Sequence, residues 1–104
     1  MRVSFINPKL QEYLYSFDKA TISKIIKLMD MLEMFGEKIG MPYSRHISNN
    51  LYELRIRGNR EVRIFYCFYN QGAVLVHAFV KKSQKTPQQE INIAVSRIKL
   101  LTER

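Results

Sequence analysis

The sequence predicts an α+β domain in the order β-α-α-β-β-β-α, a twisted antiparallel sheet with helices packed on one face. Three features of the chain point to it. Apolar residues recur at helical spacing before Pro42, the period changes from about 3.6 to about 2 after it, and a helical stripe returns beyond Pro87. The 104 residues, 46% apolar and 12% aromatic, suit one compact core and not two, so residues 1–104 are expected to form a single domain.

Residues 1–6, MRVSFI, are read as a first strand. Asn7 and Pro8 end it and supply a helix N-cap and a first helical residue. Leu10, Tyr13, Leu14 and Phe17 make residues 8–17 a short amphipathic helix. A longer helix follows with an apolar stripe of Ile22, Ile25, Ile26, Met29 and Leu32, stopped by Gly36 and Gly40. Met29, Met31 and Met34 can mark an adaptable binding surface, but their spacing favours core filling.

LYELRIR (51–57) alternates apolar and charged residues, and REVRIFYCFY (60–69) continues as a strand rich in aromatic and β-branched residues. Gly58-Asn59 suits a two-residue primed hairpin turn between them. A second hairpin turns through Asn70, Gln71 and Gly72 into AVLVHAFV (73–80). Thr86-Pro87-Gln88-Gln89 has the form of a capping box, and Ile91, Ala94, Val95, Ile98 and Leu101 give the last helix its buried face.

The formal charge is +8, and it is unevenly spread. Residues 45–85 hold eight Lys/Arg against two Asp/Glu, while the segments on either side are each near balance. Such a concentration points to a polyanion or an acidic protein as partner. One cysteine, Cys67, allows no internal disulfide and no zinc cage, which fits a reducing, cytoplasmic setting. MRVSFINPK has no signal-peptide pattern, and no apolar run approaches the roughly 18 residues of a membrane span.

Strand alternation gathers the charge onto one face. Glu53, Arg55 and Arg57 share a side of their strand, Arg63 joins them if the hairpin register holds, and His77, Phe79 and Lys81 line one side of the next strand. This face is expected to be a basic, partly aromatic platform. Solubility alone favours mixed charge, so the single sign argues for nucleic-acid or anion recognition.

Arg55 and Arg57, two residues apart, can clamp a phosphate through their planar donor forks, with Arg63 closing the clamp. Pairing with Glu53 or Glu61 competes with that role; it is favoured for Arg57, and phosphate binding for Arg55 and Arg63. His77 is a candidate general acid or base, or equally a half-buried strand histidine. Lys81, Lys82 and Lys85, crowded by other cations, can share proton transfer through a lowered pKa or contact phosphate directly. The chain has no phosphate-binding Gly-rich loop, H-E-x-x-H, nucleophile elbow or paired-carboxylate motif, and Cys67 sits in an apolar run as an inert thiol. No cofactor or metal is expected. RNA cleavage needs none of these signatures, because the ribose 2′-OH is already the nucleophile.

LYELRIRGNREVRIFYCF and HAFVKKSQKTPQQEINIA resemble the HigB-like, phage-derived branch of the RelE/ParE toxin superfamily of type II toxin–antitoxin modules. The resemblance lies in L-x-E-L-R at Leu51 to Arg55, an arginine opening an apolar strand at Arg63, and F-x-K-K-x-x-K-T-P-x-x-E from Phe79 to Glu90. It implies a RelE-like fold and a metal-independent mRNA interferase, an endoribonuclease that inhibits translation on the ribosome and is restrained by a helix-turn-helix antitoxin. By that resemblance Arg55 and Arg63 stabilise the scissile phosphate, and His77 with Lys81 completes the catalytic set. Arg57, Lys82, Lys85 and Phe79 hold the RNA; Phe79 or Tyr66 can stack on a base, although core packing is the favoured duty of each. Two alternatives stand beside it: a ParE-like gyrase inhibitor that acts by binding, and an inactive remnant that retains antitoxin binding. Charge reversal at Arg63 is expected to abolish toxicity and spare the fold, since the residue is placed on a solvent-facing surface.

Overall fold

The computed structural model describes residues 1–103. Strand β1 (Arg2–Phe5) leads into helices α1 (Pro8–Leu14) and α2 (Lys19–Phe35), and a single 3-10 turn (Gly36–Lys38) follows. Four strands come next, β2 (Ser44–Ser48), β3 (Leu51–Ile56), β4 (Val62–Tyr69) and β5 (Gly72–Val80), before the last helix, α3 (Gln88–Thr102). The strands form one sheet in the order β1-β5-β4-β3-β2. The α+β class therefore holds, with the expected elements in their expected order.

Three details depart from the sequence reading. The sheet is mixed, because β1 lies parallel to β5 while β2 to β5 form the antiparallel meander. Strand β2 was not anticipated: SRHIS is short, mostly exposed and polar, so no period-2 apolar pattern marks it. The helices also occupy both faces. Leu10 and Leu14 of α1 and Ile25, Leu28 and Leu32 of α2 pack on one face with Leu54, Ile64, Tyr66 and Leu75. Ala94 of α3 packs on the other with Phe65, Cys67, Val76 and Phe79. Strands β4 and β5 are thus buried on both sides, which is why their sequences read as nearly continuous apolar runs. Each wholly buried Leu or Ile contributes roughly 1.5–3 kcal/mol as an upper estimate.

Local chemistry sets the boundaries. Asn7 caps α1 by accepting the Leu10 N–H at 2.9 Å, with Pro8 at the first helical position. Asp18 caps α2 through the Thr21 N–H, and the Thr21 hydroxyl donates to its other oxygen at 2.7 Å. These bonds hold the Asp18 carboxyl below its usual pKa. Gly36 ends α2 with φ +55°, a conformation that a side chain resists. The buried line of α2 is Thr21, Ile25, Leu28 and Leu32; Ile26 is 42% exposed, and Met34 lies open to solvent while Met29 and Met31 pack on the core.

The turns exchange roles relative to expectation. Asn70 and Gln71 both have positive φ, the signature of a two-residue primed turn, and they close Tyr69 onto Gly72. Gly58-Asn59 instead belongs to a five-residue loop, 57–61, and neither residue has positive φ. Lys24 Nζ of α2 donates to the Arg57 carbonyl at 2.8 Å and lies 2.6 Å from where a Cβ on Gly58 would stand, so α2 touches this loop. The anticipated capping box is not formed either. Pro87 is the N-cap of α3 without a side-chain bond, and the Thr86 hydroxyl is buried without a partner.

Candidate functional site

Helix α3 covers the middle of its face and leaves one end open. There the C-terminal end of β3, the start of β4 and the end of β5 line a cleft of about 540 Å³ whose walls include Arg55, Arg57, Glu61, Arg63, Lys81 and Lys82. The pairing register puts these side chains together. Arg55 stands opposite Arg63, Arg63 opposite Phe79, and the Lys81 N–H donates to the Glu61 carbonyl at 2.7 Å. The expected basic platform exists, but as a cleft beside a helix and not as an uncovered face.

Arg63 is the floor of the cleft and is 2% exposed, not solvent-facing as the alternation suggested. Its guanidinium lies 3.9 Å from Glu53 and 3.8 Å from Glu61. Glu53, itself buried, also faces Arg45 of β2 at 3.5 Å. These separations are charge contacts and not hydrogen bonds. Arg63 Nε and the second oxygens of Glu53 and Glu61 are therefore buried without a hydrogen-bond partner, as is Arg55 Nε. Buried unpaired donors and acceptors are costly, and in a cleft they mark groups set for a ligand. The sequence shows no carboxylate-pair motif, yet the fold brings Glu53 and Glu61 to the same guanidinium.

The electrostatics are correspondingly tense. Burial lowers the pKa of Arg63, the neighbouring Arg55 and Arg57 lower it further, and Glu53 and Glu61 oppose them. Lys81 is likewise lowered by burial first and then by Arg63, with Arg45 and Arg55 adding to it against Glu53. Arg57 pairs with Glu61 at 3.9 Å on the exposed rim, the pairing favoured for it from sequence. Among the described residues Arg55 has no carboxylate within ion-pair reach; one of its terminal nitrogens rests 3.7 Å from the Met41 sulfur.

His77, Phe79, Tyr66 and Lys85 fall outside this group. His77 does not converge with the arginines. Its Nε2 lies 2.8 Å from Glu90 Oε1 of α3, and Arg97 of α3 approaches its Nδ1 at 3.5 Å while donating to the Val76 carbonyl at 2.7 Å. The rings of Phe65 and Phe79, tilted against each other, lie between His77 and the arginine pair in register, and His77 stacks on Phe79. His77 thus fixes α3 to β5. Phe79 is 7% exposed and packed on Phe65, and Tyr66 is buried on the opposite face with its hydroxyl bonded to Ser44, so neither ring is open to a base. Burial pushes the Tyr66 phenol up to about 12 and the Cys67 thiol up to about 11, in keeping with an inert core thiol. Lys82 lines the cleft, while Lys85 is exposed on the loop beyond it.

No gathering of three or more His, Cys, Asp or Glu side chains suited to a metal occurs among the described residues, and no helix among them is long and apolar enough to cross a membrane.

Fold and site together define a small α+β domain with a cation-rich cleft at one end of its sheet. The chain belongs to the family described as phage derived protein Gp49-like (DUF891), whose model matches residues 12–99. No curated protein matches it in sequence. Its fold is similar to that of a chain in the crystal structure of the heterotetrameric YoeB-YefM toxin-antitoxin complex from Staphylococcus aureus, with TM-score 0.54 and 20% identity over 72% of this chain and 90% of that one.

Proposed function

We propose that this protein is the toxin of a type II toxin–antitoxin module and that it cleaves messenger RNA at the Arg55–Arg63 cleft. The observation that carries the reading is the in-register pair of arginines on the floor of a cleft that also holds a carboxylate and a perturbed lysine. The fold shared with a chain of a toxin–antitoxin complex supports the toxin assignment and a cognate antitoxin as partner. The HigB-like resemblance of the sequence adds a helix-turn-helix antitoxin, a cytoplasmic setting and ribosome-dependent action on translated messages.

In this reading the scissile phosphate binds across Arg55 and Arg63, whose charges stabilise the pentavalent transition state. The ribose 2′-oxygen forms a bond to phosphorus as the bond to the 5′-oxygen breaks. Glu61, which lines the cleft, accepts the 2′-OH proton, and Lys81 donates a proton to the departing 5′-oxygen. The products are a 2′,3′-cyclic phosphate and a 5′-hydroxyl end. Glu53 lies too deep to reach the substrate and positions Arg63 and Arg45. His77 has no part in the chemistry. This reading departs from the sequence assignment, and the bond of His77 to Glu90 of α3 supports the change.

The test is induced expression without antitoxin, followed by primer extension on cellular messages and a supercoiling assay on plasmid DNA. New 5′ ends within translated frames, absent when translation is blocked, are expected. Intact messages with altered supercoiling would move the protein to the gyrase-binding class. Unimpaired growth with intact messages would leave an inactive remnant.

A further inference from the structure

A second cavity opens beside the first, around the end of β3. It holds about 220 Å³ between α2 and the segment leading into β2, and its walls are Leu28, Pro42, Tyr43 and Ile56. Lys24 and Lys27 of α2 stand at its rim. Arg55 and Arg57 line both this slot and the phosphate cleft, so the two meet at the end of β3.

We infer that the slot is a base-binding subsite: one nucleobase of the RNA enters it and rests on the Tyr43 ring while an adjacent phosphate lies on Arg55 and Arg63. This rests on the RNA-cleaving reading of the cleft. A nucleotide is a flat, largely apolar-faced ring joined to an anion, and the end of β3 offers an apolar slot that shares Arg55 and Arg57 with a cationic cleft. The pieces are held in place before any ligand arrives. The Tyr43 carbonyl accepts the Arg55 N–H at 2.8 Å, and the Tyr43 N–H donates to the Gly40 carbonyl at 3.2 Å. Its backbone is thus fixed to the arginine strand while the residue stays 41% exposed. Lys24, bonded to the Arg57 carbonyl, ties α2 to the end of β3 and so fixes the width of the slot. The buried aromatics Phe79 and Tyr66 cannot serve as a stacking surface, and Tyr43 is the open ring next to the cleft.

The test compares binding of nucleoside 5′-monophosphates with binding of inorganic phosphate by NMR titration, for the wild type, Tyr43→Phe, Tyr43→Ala and Arg63→Lys. The wild type is expected to bind a monophosphate more tightly than phosphate. Tyr43→Ala is expected to weaken the monophosphate by about tenfold, the loss of one stacked base, and to leave phosphate unchanged. Tyr43→Phe should retain the preference, and Arg63→Lys should weaken both ligands together. Equal binding of the two ligands by the wild type, or a ratio unaltered in Tyr43→Ala, overturns the subsite, leaves the phosphate cleft standing and gives the slot to an apolar side chain of a protein partner. Binding of neither ligand overturns the subsite and the cleft reading alike. Mapping of cleavage sites adds an independent readout: Tyr43→Ala should broaden the base preference at one position beside the cut.

Discussion

Arg55 and Arg63 face each other across the β3–β4 ladder, two cations in register on the same side of the sheet. Like charges directly opposite each other in a sheet are destabilising by roughly 0.2–1 kcal/mol. Glu53 and Glu61 neutralise Arg63 from either side, but neither comes within ion-pair distance of Arg55. Arg55 is therefore a charge that the fold does not need, held where an anion would satisfy it. Strain of this kind, concentrated at one end of the sheet, is the physical sign of a site.

Replacement of Arg55 by Gln should separate function from stability. Removing the opposed charge is expected to leave the protein as stable as before or to raise its stability by up to about 1 kcal/mol. Cleavage should fall by about 10²-fold, the usual loss when one transition-state charge donor is removed. Thermal melts beside single-turnover cleavage read both quantities. A variant that is destabilised in proportion to its lost activity would show that Arg55 is structural.

Arg63 should behave in the opposite way. Its burial against Glu53 and Glu61 means that Arg63→Glu places a third carboxylate in the same enclosed cluster. An unpaired buried charge costs about 3–5 kcal/mol, which lowers the melting temperature of a domain this size by roughly 12 °C or more. Loss of toxicity in that variant would therefore report unfolding and not chemistry. Arg63→Lys keeps the charge and loses the planar fork, so it should remain folded with cleavage reduced by about 10²–10³-fold. A well-folded Arg63→Glu protein in a circular-dichroism melt would contradict the buried placement.

His77→Ala tests the histidine as a fastener. Its bond to Glu90 is partly buried, and losing it should cost about 1–3 kcal/mol while cleavage by the folded fraction stays within about threefold of wild type. A double-mutant cycle with Glu90→Gln should show coupling between the two residues. A fully stable His77→Ala protein with cleavage lost by orders of magnitude would restore the histidine to the chemistry.

What the sequence discloses here and what it conceals have separate causes. Alternation within β3 correctly puts Glu53 and Arg55 on one side, and the pairing of β4 brings Arg63 beside them, because side-chain period and hairpin register are local properties; Arg57, beyond the strand, reaches the cleft from the loop. Local pattern cannot say which face α3 will cover. Its apolar stripe is equally compatible with either face, and its choice buries Phe79 and claims His77 through Glu90. The same choice leaves one end of the sheet open beside the helix, where Glu53 and Glu61 flank the buried Arg63 in a cleft. Tyr43 carries no sequence signal because it lies between Pro42 and a short polar strand, where no periodic pattern applies; the Arg55 N–H bond to its carbonyl and its place in the slot wall put it beside the arginine strand.

Lys81 carries the pH dependence. Burial and the nearby Arg63 lower its pKa below that of a free lysine, so the ammonium form loses its proton at a lower pH than usual. As the proton donor to the leaving 5′-oxygen, Lys81 must be protonated at the start of the reaction. In the proposed mechanism activity therefore declines as pH rises through the lowered pKa, which gives the rate profile an alkaline limb earlier than an ordinary lysine would set. Arginine at this position stays protonated throughout. Lys81→Arg should accordingly react more slowly at its plateau, because a guanidinium gives up a proton poorly, and its alkaline limb should move upward. Lys81→Met should remove the limb together with most of the rate. Single-turnover cleavage across the alkaline range, with enzyme-free hydrolysis of the RNA subtracted, reads the limb directly. An alkaline decline at the same pH in wild type and Lys81→Arg would assign the proton to another group and leave Lys81 as a phosphate contact.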